Sequence, residues 1–179
     1  MGRIVLVTGG ARSGKSAYAE ARAAEIGGTR VTYIATAEAL DEEMQIRIAR
    51  HRMDRPVEWI TEEAPRGVGN AVRRAITPVV LVDCLTVLAS NALLAVEGEG
   101  EEAAMAAVLA EADALREAAL AHHGTTLIVT NEVGMGVHPP TALGRWYRDG
   151  LGRANARIAA AAGEVVLLVS GIPLKIKSM

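Results

Sequence analysis

The stretch Gly9-Gly10-Ala11-Arg12-Ser13-Gly14-Lys15-Ser16 follows the pattern G-x-x-x-x-G-K-[ST] of a phosphate-binding loop. An apolar run, Arg3–Thr8, precedes it and suits a buried strand, and Ser16–Ile26 after it suits a helix. In this order the glycines and the helix start turn backbone N–H groups toward a phosphate. We expect Lys15 to neutralise the β- and γ-phosphates and the Ser16 hydroxyl to ligate Mg²⁺. The stretch therefore predicts a site for a nucleoside triphosphate, and it leaves the reaction open.

Strand-like and helix-like segments alternate along the whole chain, which predicts an α/β fold with a mainly parallel sheet covered by helices. Several strand-like runs are apolar throughout, as is typical of parallel strands covered on both faces. The predicted strands are Ile4–Thr8, Arg30–Ala35, Val57–Thr61, Val79–Asp83, Thr126–Thr130, Val165–Ser170 and Leu174–Lys177. The predicted helices are Ser16–Ile26, Asp41–Met53, Arg66–Arg74, Thr86–Val96, Glu101–His122 and Thr141–Ala162. Gly150 and Gly152 interrupt the last helix and indicate a kink or close packing there.

Length and composition predict one compact domain over residues 1–179. The net charge of −2 provides no basic surface for nucleic acid, and 3% aromatic residues leave few side chains to stack on bases. No apolar stretch reaches the length of a membrane span, and the N-terminus has no signal-peptide layout. The single cysteine, Cys84, excludes an internal disulfide and is expected to be inert and buried. We therefore expect a cytoplasmic protein that binds neither nucleic acid nor a membrane.

Ligands of open parallel sheets bind beyond the carboxyl ends of the strands. The residues at and after the predicted strand ends are therefore candidate site residues. Besides the phosphate loop, they are Thr36-Ala37-Glu38, Glu62-Glu63, Asp83, Asn131–Gly136 and Ser170-Gly171. Polar side chains and glycines are concentrated at these positions, as a binding site requires.

A second group of candidate residues belongs to the predicted helix Asp41–Met53. His51 shares one face of this helix with Met44 and Ile48 at helical spacing. Four arginines surround it in sequence, namely Arg47, Arg50, Arg52 and Arg55. Such a cluster suits a polyphosphate and favours a neutral, nucleophilic imidazole. The alternative is a histidine at a helix end on a solvated basic face, and spacing alone leaves both interpretations open.

The histidines at 122 and 123 stand at a helix end before Gly124. A positive charge there would complement the negative end of the helix dipole. We expect this structural role for both.

With the phosphate loop and the His51 segment in view, the chain resembles the bifunctional adenosylcobinamide kinase / adenosylcobinamide-phosphate guanylyltransferase family of cobalamin biosynthesis. The resemblance extends over nearly the whole chain, and its many ordered segments make it far more specific than the loop alone. Those of the first half are Thr8–Ser16, Tyr33–Ala37, Asp41, Glu43-Met44, Arg47-Ile48, His51, Arg55-Pro56, Trp59 and Thr61–Glu63. Those of the second half are Val129–Gly136, Arg145, Arg148-Asp149, Gly152-Arg153, Asn155 and Val169–Ile172.

The resemblance implies two successive reactions. The family phosphorylates the aminopropanol hydroxyl of adenosylcobinamide with ATP or GTP, and then transfers GMP from GTP to the new phosphate. The products of the second reaction are adenosyl-GDP-cobinamide and pyrophosphate, and it passes through a GMP–histidine phosphoramidate. The matching histidine is His51, because Arg50 occupies the neighbouring family histidine position. His51 and Lys15 are thus the expected catalytic residues.

The resemblance also implies a RecA-like P-loop fold, a homotrimer, and binding of GTP, ATP and Mg²⁺. The implied nucleotide contacts are Gly9, Gly10, Ala11, Arg12, Ser13, Gly14, Lys15, Ser16, Thr36, Ala37, Glu38, Arg52, Met53, Asp54, Arg55, Glu63 and Asp83. The expected metal ligands are Ser16 and Asp83. Asp83 stands where some members carry Glu, and either carboxylate can hold Mg²⁺ directly or through water.

Two other functions compete with this interpretation. A small-molecule kinase that transfers only the γ-phosphate would use the loop, Lys15 and Asp83, and would give His51 no covalent role. A guanine-nucleotide switch would use the loop for binding alone. The N-K-x-D base reader of such switches is absent, since the nearest stretch is Asn131-Glu132-Val133-Gly134.

Overall fold

In the computed structural model, which describes residues 2–38 and 56–178, the strands form one seven-stranded sheet. The strands are β1 (Arg3–Gly9), β2 (Val31–Ala35), β3 (Ile60–Glu63), β4 (Val79–Asp83), β5 (Thr125–Val129), β6 (Glu164–Val169) and β7 (Ile172–Ser178). Their spatial order is β3-β2-β4-β5-β1-β6-β7, and only the neighbours β6 and β7 are antiparallel. The mainly parallel sheet predicted from the sequence is confirmed.

The helices of the described ranges are α1 (Lys15–Gly27), α2 (Val68–Arg74), α3 (Leu85–Leu94), α4 (Glu101–Ala121) and α5 (Ala142–Ala161). Each of them lies within one to two residues of a predicted helix. Across residues 2–38 and 56–178, no helix has the length and apolar character needed to cross a bilayer. The helix predicted over Asp41–Met53 lies outside the described residues.

Alternate residues of the central strands face two different helical layers. In β1, Ile4 and Leu6 contact the layer built from α2, α3, α4 and α5, whereas Val5 and Val7 contact the layer that contains α1. The same alternation in β5 buries Leu127 completely against the α1 layer. Burial of one such side chain stabilises the fold by about 1.5–3 kcal/mol. Because both faces are covered, the strand sequences are apolar throughout.

The third strand begins later than predicted. Val57, the expected first residue, is 95% exposed, whereas Trp59 is buried and donates its Nε1–H to the Gly28 carbonyl at 3.1 Å. The strand Ile60–Glu63 is polar at its end and pairs in parallel with β2. Its position is therefore set by backbone pairing to a neighbour rather than by its own hydrophobicity.

The last helix passes through Gly150 and Gly152 without interruption. A Cβ atom at Gly150 would lie 3.4 Å from the Val108 side chain of α4, whereas nothing lies within 4 Å of one at Gly152. Gly150 therefore marks close packing between α4 and α5, which is one of the two predicted alternatives.

The register of the strands brings the candidate site residues to one edge of the sheet. Ala35 of β2 pairs with Glu63 on one side and with Asp83 on the other. Asp83 is level with Val7 of β1 across the intervening β5, and the phosphate loop begins two residues after Val7. Since neighbouring strands lie about 4.8 Å apart, Asp83 lies about 10 Å from β1.

Candidate nucleotide-binding site

The loop between β1 and α1 depends on glycine at two positions. Gly14 caps α1 with φ 90°, a left-handed conformation that other residues rarely adopt. A Cβ atom at Gly9 would lie 2.4 Å from the Leu168 carbonyl oxygen, so glycine permits the close approach of β6. On the same side, the Gly171 amide donates to the Ser13 carbonyl at 3.0 Å and ties the β6–β7 turn to the loop. The loop thus ends at the start of a 13-residue helix, where N–H groups and the helix dipole favour an anion.

Lys15 is buried and held within this loop. Its Nζ donates to the Gly10 carbonyl at 2.6 Å and lies 3.5 Å from Ser13 Oγ. Burial lowers the pKa of Lys15, while the negative charge of Asp83 acts in the opposite direction. An ammonium group among loop atoms can donate the same hydrogen bonds to phosphate oxygens. The geometry therefore suits the predicted role of Lys15.

The carboxylate of Asp83 is oriented by a tyrosine of the neighbouring strand. The Tyr33 hydroxyl donates to Asp83 Oδ2 at 2.7 Å, and Tyr33 is 2% exposed. A hydrogen bond to an ionised carboxylate is shorter and stronger than one between neutral groups. The sequence indicated Tyr33 as part of a strand and of the resemblance segment Tyr33–Ala37 but predicted no role for its hydroxyl, so this contact was missed.

Ser16 and Asp83 have the donor chemistry of a magnesium site. Ser16 is the second residue of α1 and is half-buried, and Asp83 ends the strand two positions from β1 in the sheet. Mg²⁺ prefers hydroxyl, carboxylate, water and phosphate oxygens, and in phosphate-loop proteins it uses few protein ligands. Within the described ranges, no group of three or more His, Cys, Asp and Glu side chains could hold a metal ion. The pair fits a magnesium ion that takes its other ligands from phosphate and water.

Thr36 uses its polar groups inside the protein. Its amide donates to the Asp83 carbonyl at 3.1 Å, and its hydroxyl bonds both the amide and the carbonyl of Cys84, at 2.8 and 2.9 Å. The Asn91 side-chain amide donates to the Thr36 carbonyl at 2.9 Å. Thr36 is fully buried. It therefore joins β2, β4 and α3 behind the site.

The other nucleotide contacts expected beside Asp83 are more accessible. Ala37 and Glu38 are half-buried at the end of β2, and Glu63 is exposed at the end of β3. We call Thr36–Glu38, Glu63 and Asp83 the β2–β4 flank of the phosphate loop. His51 and Arg52–Arg55, the predicted remainder of this flank, lie outside the described residues.

A polar network joins the end of β5 to α3 and α5. The hydroxyl of Thr130 donates to Asn155 Oδ1 at 2.7 Å, and the Asn155 amide group donates to the Asn131 carbonyl at 3.0 Å. The backbone N–H of Asn131 in turn donates to the Thr86 hydroxyl at 2.7 Å. Tyr147 donates to the Thr86 carbonyl at 3.4 Å, and burial raises the pKa of Tyr147 to about 12. The rule on strand ends predicted Asn131 as a site residue. It did not predict its hydrogen-bond partners Asn155 and Thr86, because these lie on the helices α5 and α3.

A cavity of about 390 Å³ lies on the other side of the phosphate loop. It is lined by loop residues 10–13 and by Glu132, Met135 and the end of β6 from Leu167 to Ser170. Leu167, Val169 and Met135 contribute apolar surface, and Met135 is 85% exposed. We call Glu132, Met135 and residues 167–170 the β6 flank. Glu132 and Met135 belong to the stretch Asn131–Gly136, which the rule on strand ends predicted as candidate site residues, and they line this cavity together with the loop.

Cys84 and His122, which also lie outside the loop, have shifted pKa values. Burial raises the pKa of the Cys84 thiol to about 11, with a smaller contribution from the Asp83 charge, so the thiol is protonated and unreactive at neutral pH. Cys84 is half-buried. Burial also lowers the pKa of His122, and its Nδ1 accepts the Gly124 amide at 3.1 Å. The positive helix-end role predicted for His122 is therefore wrong, because an accepting, partly buried imidazole is neutral.

Comparisons with known proteins assign a family to this chain. A model of the family described as CobU, cobinamide kinase / cobinamide phosphate guanyltransferase, matches residues 5–176. The chain is similar to bifunctional adenosylcobalamin biosynthesis protein CobU of Escherichia coli (strain K12), with 43% identity over 97% of this chain and 99% of that protein. It is also similar to bifunctional adenosylcobalamin biosynthesis protein CobP of Pseudomonas aeruginosa, with 40% identity over 96% of each chain.

Among solved structures, the fold is similar to that of the flagellar accessory protein FlaH from Methanocaldococcus jannaschii. The TM-score is 0.50 at 15% identity, covering 98% of this chain and 78% of that one. At this identity the likeness concerns the fold alone, and it confirms the RecA-like P-loop architecture. The match to the family model over most of the length, together with the two relatives, shows that this chain belongs to the cobinamide kinase / cobinamide phosphate guanyltransferase family.

Proposed function

We propose that this protein phosphorylates adenosylcobinamide and then transfers GMP from GTP to the resulting phosphate through a GMP–histidine intermediate. The observation that carries the proposal is the phosphate loop with Lys15 buried in it, flanked by an Asp83 carboxylate fixed at the end of β4. Family membership supplies the substrates, adenosylcobinamide and its phosphate. ATP and GTP are both proposed donors for the first reaction.

In the kinase step, the acceptor hydroxyl oxygen attacks the γ-phosphorus and the bond to the β–γ bridging oxygen breaks. The nucleoside diphosphate leaves, and the hydroxyl proton is lost. Loop N–H groups and the Lys15 ammonium offset the charge on the transferring oxygens. Ser16 and Asp83 would hold Mg²⁺, which neutralises phosphate charge when bound.

In the guanylyl step, a neutral imidazole nitrogen of His51 attacks the α-phosphorus of GTP, and pyrophosphate leaves as the α–β bridging bond breaks. A phosphate oxygen of the acceptor then attacks the same phosphorus, the P–N bond breaks and His51 is restored. Two in-line displacements retain the configuration at phosphorus. A single direct transfer would invert it.

We assign the guanosine of this second step to the β2–β4 flank, together with Arg52, Met53, Asp54 and Arg55. Support comes from the accessible carboxylates of Glu38 and Glu63, which can accept N–H groups of guanine. Thr36 supports these residues from behind, since its own polar groups are engaged.

The decisive experiment incubates the protein with GTP labelled at the α-phosphorus and follows label on the protein. We expect an acid-labile adduct on His51 and its loss in His51→Ala, with guanylyl transfer reduced by about 10³-fold or more, as for other removed nucleophiles. Kinase activity of this variant should stay within about threefold of the parent, because γ-transfer needs no imidazole. The matched control is His123→Ala, since His123 is exposed at the opposite edge of the sheet, just before β5.

The same experiment separates the competing functions. Phosphorylated cobinamide without any adduct or guanylyl product would identify a kinase that transfers only the γ-phosphate. Nucleotide binding without turnover of cobinamide would identify a switch. Inversion at phosphorus with chiral α-thio-GTP would exclude the histidine intermediate even where product forms.

We further propose that the protein assembles as a homotrimer, which rests on the family resemblance. The strand β7 supports association, because Ile172, Leu174 and Ile176 are each more than half exposed. Light scattering of the purified protein measures the subunit number directly, and a monomer or dimer would contradict the proposal.

A further inference from the structure

The two proposed reactions attack opposite ends of a nucleoside triphosphate. The kinase step requires the γ-phosphorus beside the acceptor, whereas the guanylyl step requires the α-phosphorus beside His51 and then beside the same end of the acceptor. The loop Gly9–Ser16 serves both steps. A triphosphate that lay along the loop in the same direction in both reactions would present the same end to the acceptor each time. If the triphosphate binds in opposite directions, its γ-end faces the acceptor in the kinase step and its α-end faces it in the guanylyl step. The nucleoside then lies on opposite sides of the loop in the two steps.

The two flanks of the loop match this requirement. The β2–β4 flank carries the residues to which we assign the guanosine of the second step. The β6 flank borders a cavity of about 390 Å³ that no step described above uses. Ligand pockets span about 300–1,000 Å³, so this cavity is large enough for a base and ribose. Because residues 10–13 line it, a nucleoside there is continuous with phosphates on the loop.

We propose that the β6 flank is a second nucleoside site, which holds the base and ribose of the triphosphate that donates its γ-phosphate in the kinase step. This inference rests on the proposed function. In the guanylyl step the same loop would hold the triphosphate in the opposite direction, with the guanosine on the β2–β4 flank.

The lining of the cavity suits a purine nucleoside. Leu167 and Val169 project on the same side of β6, since they alternate with the buried Leu168, and with Met135 they form apolar walls. Arg12 is exposed on the loop with φ 54°, and its planar guanidinium can stack on a base.

Polar recognition in this cavity comes from Glu132. One carboxylate oxygen, Oε1, accepts the Gly134 amide at 2.6 Å and holds the side chain in place. A carboxylate in this position can accept an amino group of adenine or of guanine. The site is therefore expected to take either purine.

The floor of the cavity is joined to the loop. The Gly171 amide donates to the Ser13 carbonyl, and the close approach of Gly9 to Leu168 brings β6 against the loop. A nucleoside held by β6 is thereby kept in a fixed position relative to the phosphates.

The test fills the cavity with Val169→Trp, which changes a residue that is 54% exposed and should leave the fold intact. We expect KM for the nucleotide in the kinase reaction to rise about tenfold or more, while KM for GTP in the guanylyl reaction, assayed on adenosylcobinamide phosphate, stays within about twofold. The matched control is Ile76→Trp, which is 87% exposed just before β4, at the edge of the sheet opposite the loop. It should change neither constant.

A second measurement locates the base directly. ATP bearing a photoreactive azide on the purine ring should label peptides that contain Glu132–Met135 or Leu167–Ser170. Labelling confined to residues 36–63, or an equal rise of both Michaelis constants in Val169→Trp, would overturn the proposal. A protein that forms no phosphorylated cobinamide at all would instead contradict the proposed function, so the two failures are distinguishable.

Discussion

The two flanks of the phosphate loop are built in different ways. On the β2–β4 flank, side chains are fixed by hydrogen bonds, such as the one from Tyr33 to Asp83 and the pair between Thr36 and Cys84. The β6 flank is joined to the loop by backbone bonds, from the Glu132 amide to the Gly9 carbonyl and, just after the flank, from Gly171 to Ser13, and it presents apolar side chains to a cavity. The difference follows from what each flank has to hold. A carboxylate that would hold a magnesium ion needs a fixed direction, whereas a nucleoside needs a surface of the right shape.

The flanks also differ in how a substitution would act. Hydrogen bonds to charged groups contribute about 1.5–3 kcal/mol to the free energy of unfolding. Removing one partner of such a bond on the β2–β4 flank should therefore change both the stability of the protein and its reaction rate. An exposed apolar wall contributes little to folding, so a change there should alter ligand affinity alone. This contrast makes the two flanks separable by experiment, with the loop between them as the shared element.

The largest effect is expected at the shared element. Lys15→Met should reduce kcat/KM of both reactions by about 10²–10³-fold, because both lose the ammonium that offsets phosphate charge. Steady-state assays of each reaction on its own acceptor measure this. Lys175→Met is the control, since Lys175 is half-exposed on β7, where its Nζ lies 3.4 Å from Glu164. A Lys15 variant that lost only one reaction would show that the two reactions do not share the loop.

An intermediate effect is expected on the β2–β4 flank. Tyr33→Phe removes the hydroxyl that orients Asp83, so the Mg²⁺ concentration for half-maximal kinase activity should rise about five- to tenfold. Mn²⁺ binding followed by electron paramagnetic resonance in the presence of nucleotide should weaken by a similar factor. Nucleotide affinity without metal should not change.

The control for Tyr33 is a second buried hydroxyl of β2 that faces away from the site. Thr32 Oγ1 lies 2.8 Å from Thr77 Oγ1, and Thr32 is 2% exposed. Thr32→Val should cost about 1 kcal/mol of folding free energy, as a lost hydrogen bond does, and leave the metal dependence unchanged. An equal metal effect in both variants would reduce the role of Tyr33 to general stability.

The fold could be predicted wherever local chemistry decides the structure. The continuous apolar runs of β1 and β4 and the glycines of the loop identified the strands and the central site because no neighbour is needed to recognise them. The start of β3 could not be predicted, because Ile60–Glu63 is polar at its end and takes its position from pairing with β2. Close packing at Gly150 likewise depends on Val108, which is far away in sequence.

The site was predictable to the same extent. Lys15, Ser16 and Asp83 follow from a short motif and from the rule that ligands bind at strand ends. The contact between Tyr33 and Asp83 and the cavity at Leu167 were not predictable, because each joins segments that meet only in the folded sheet. The roles of Lys15, Ser16 and Asp83 stay predictions, as do those of Ala37, Glu38, Glu63 and His51.

The smallest expected effect is on the pH dependence of stability and comes from Cys84. The pKa of this thiol depends on how far water is excluded beside the β2–β4 flank. Its pKa is raised from 9.0 to about 11 in the folded protein, mainly by burial. Below about pH 9 the thiol is protonated in both states and its full contribution to stability is present. That contribution is lost as the pH rises from the unfolded toward the folded pKa, because the unfolded chain releases its proton first.

Urea unfolding of the parent protein should therefore show a larger loss of stability between about pH 8 and pH 10.5 than unfolding of Cys84→Ala, by about 1–2 kcal/mol. Tyr147, whose pKa is raised to about 12 mainly by burial, contributes in the same direction in both proteins, and only the smaller part of its shift that comes from the Cys84 charge differs between them. Equal pH dependence of parent and variant would mean that the thiol ionises as easily in the folded protein as in the unfolded chain. The surroundings of Cys84 at the end of β4 would then be open to water.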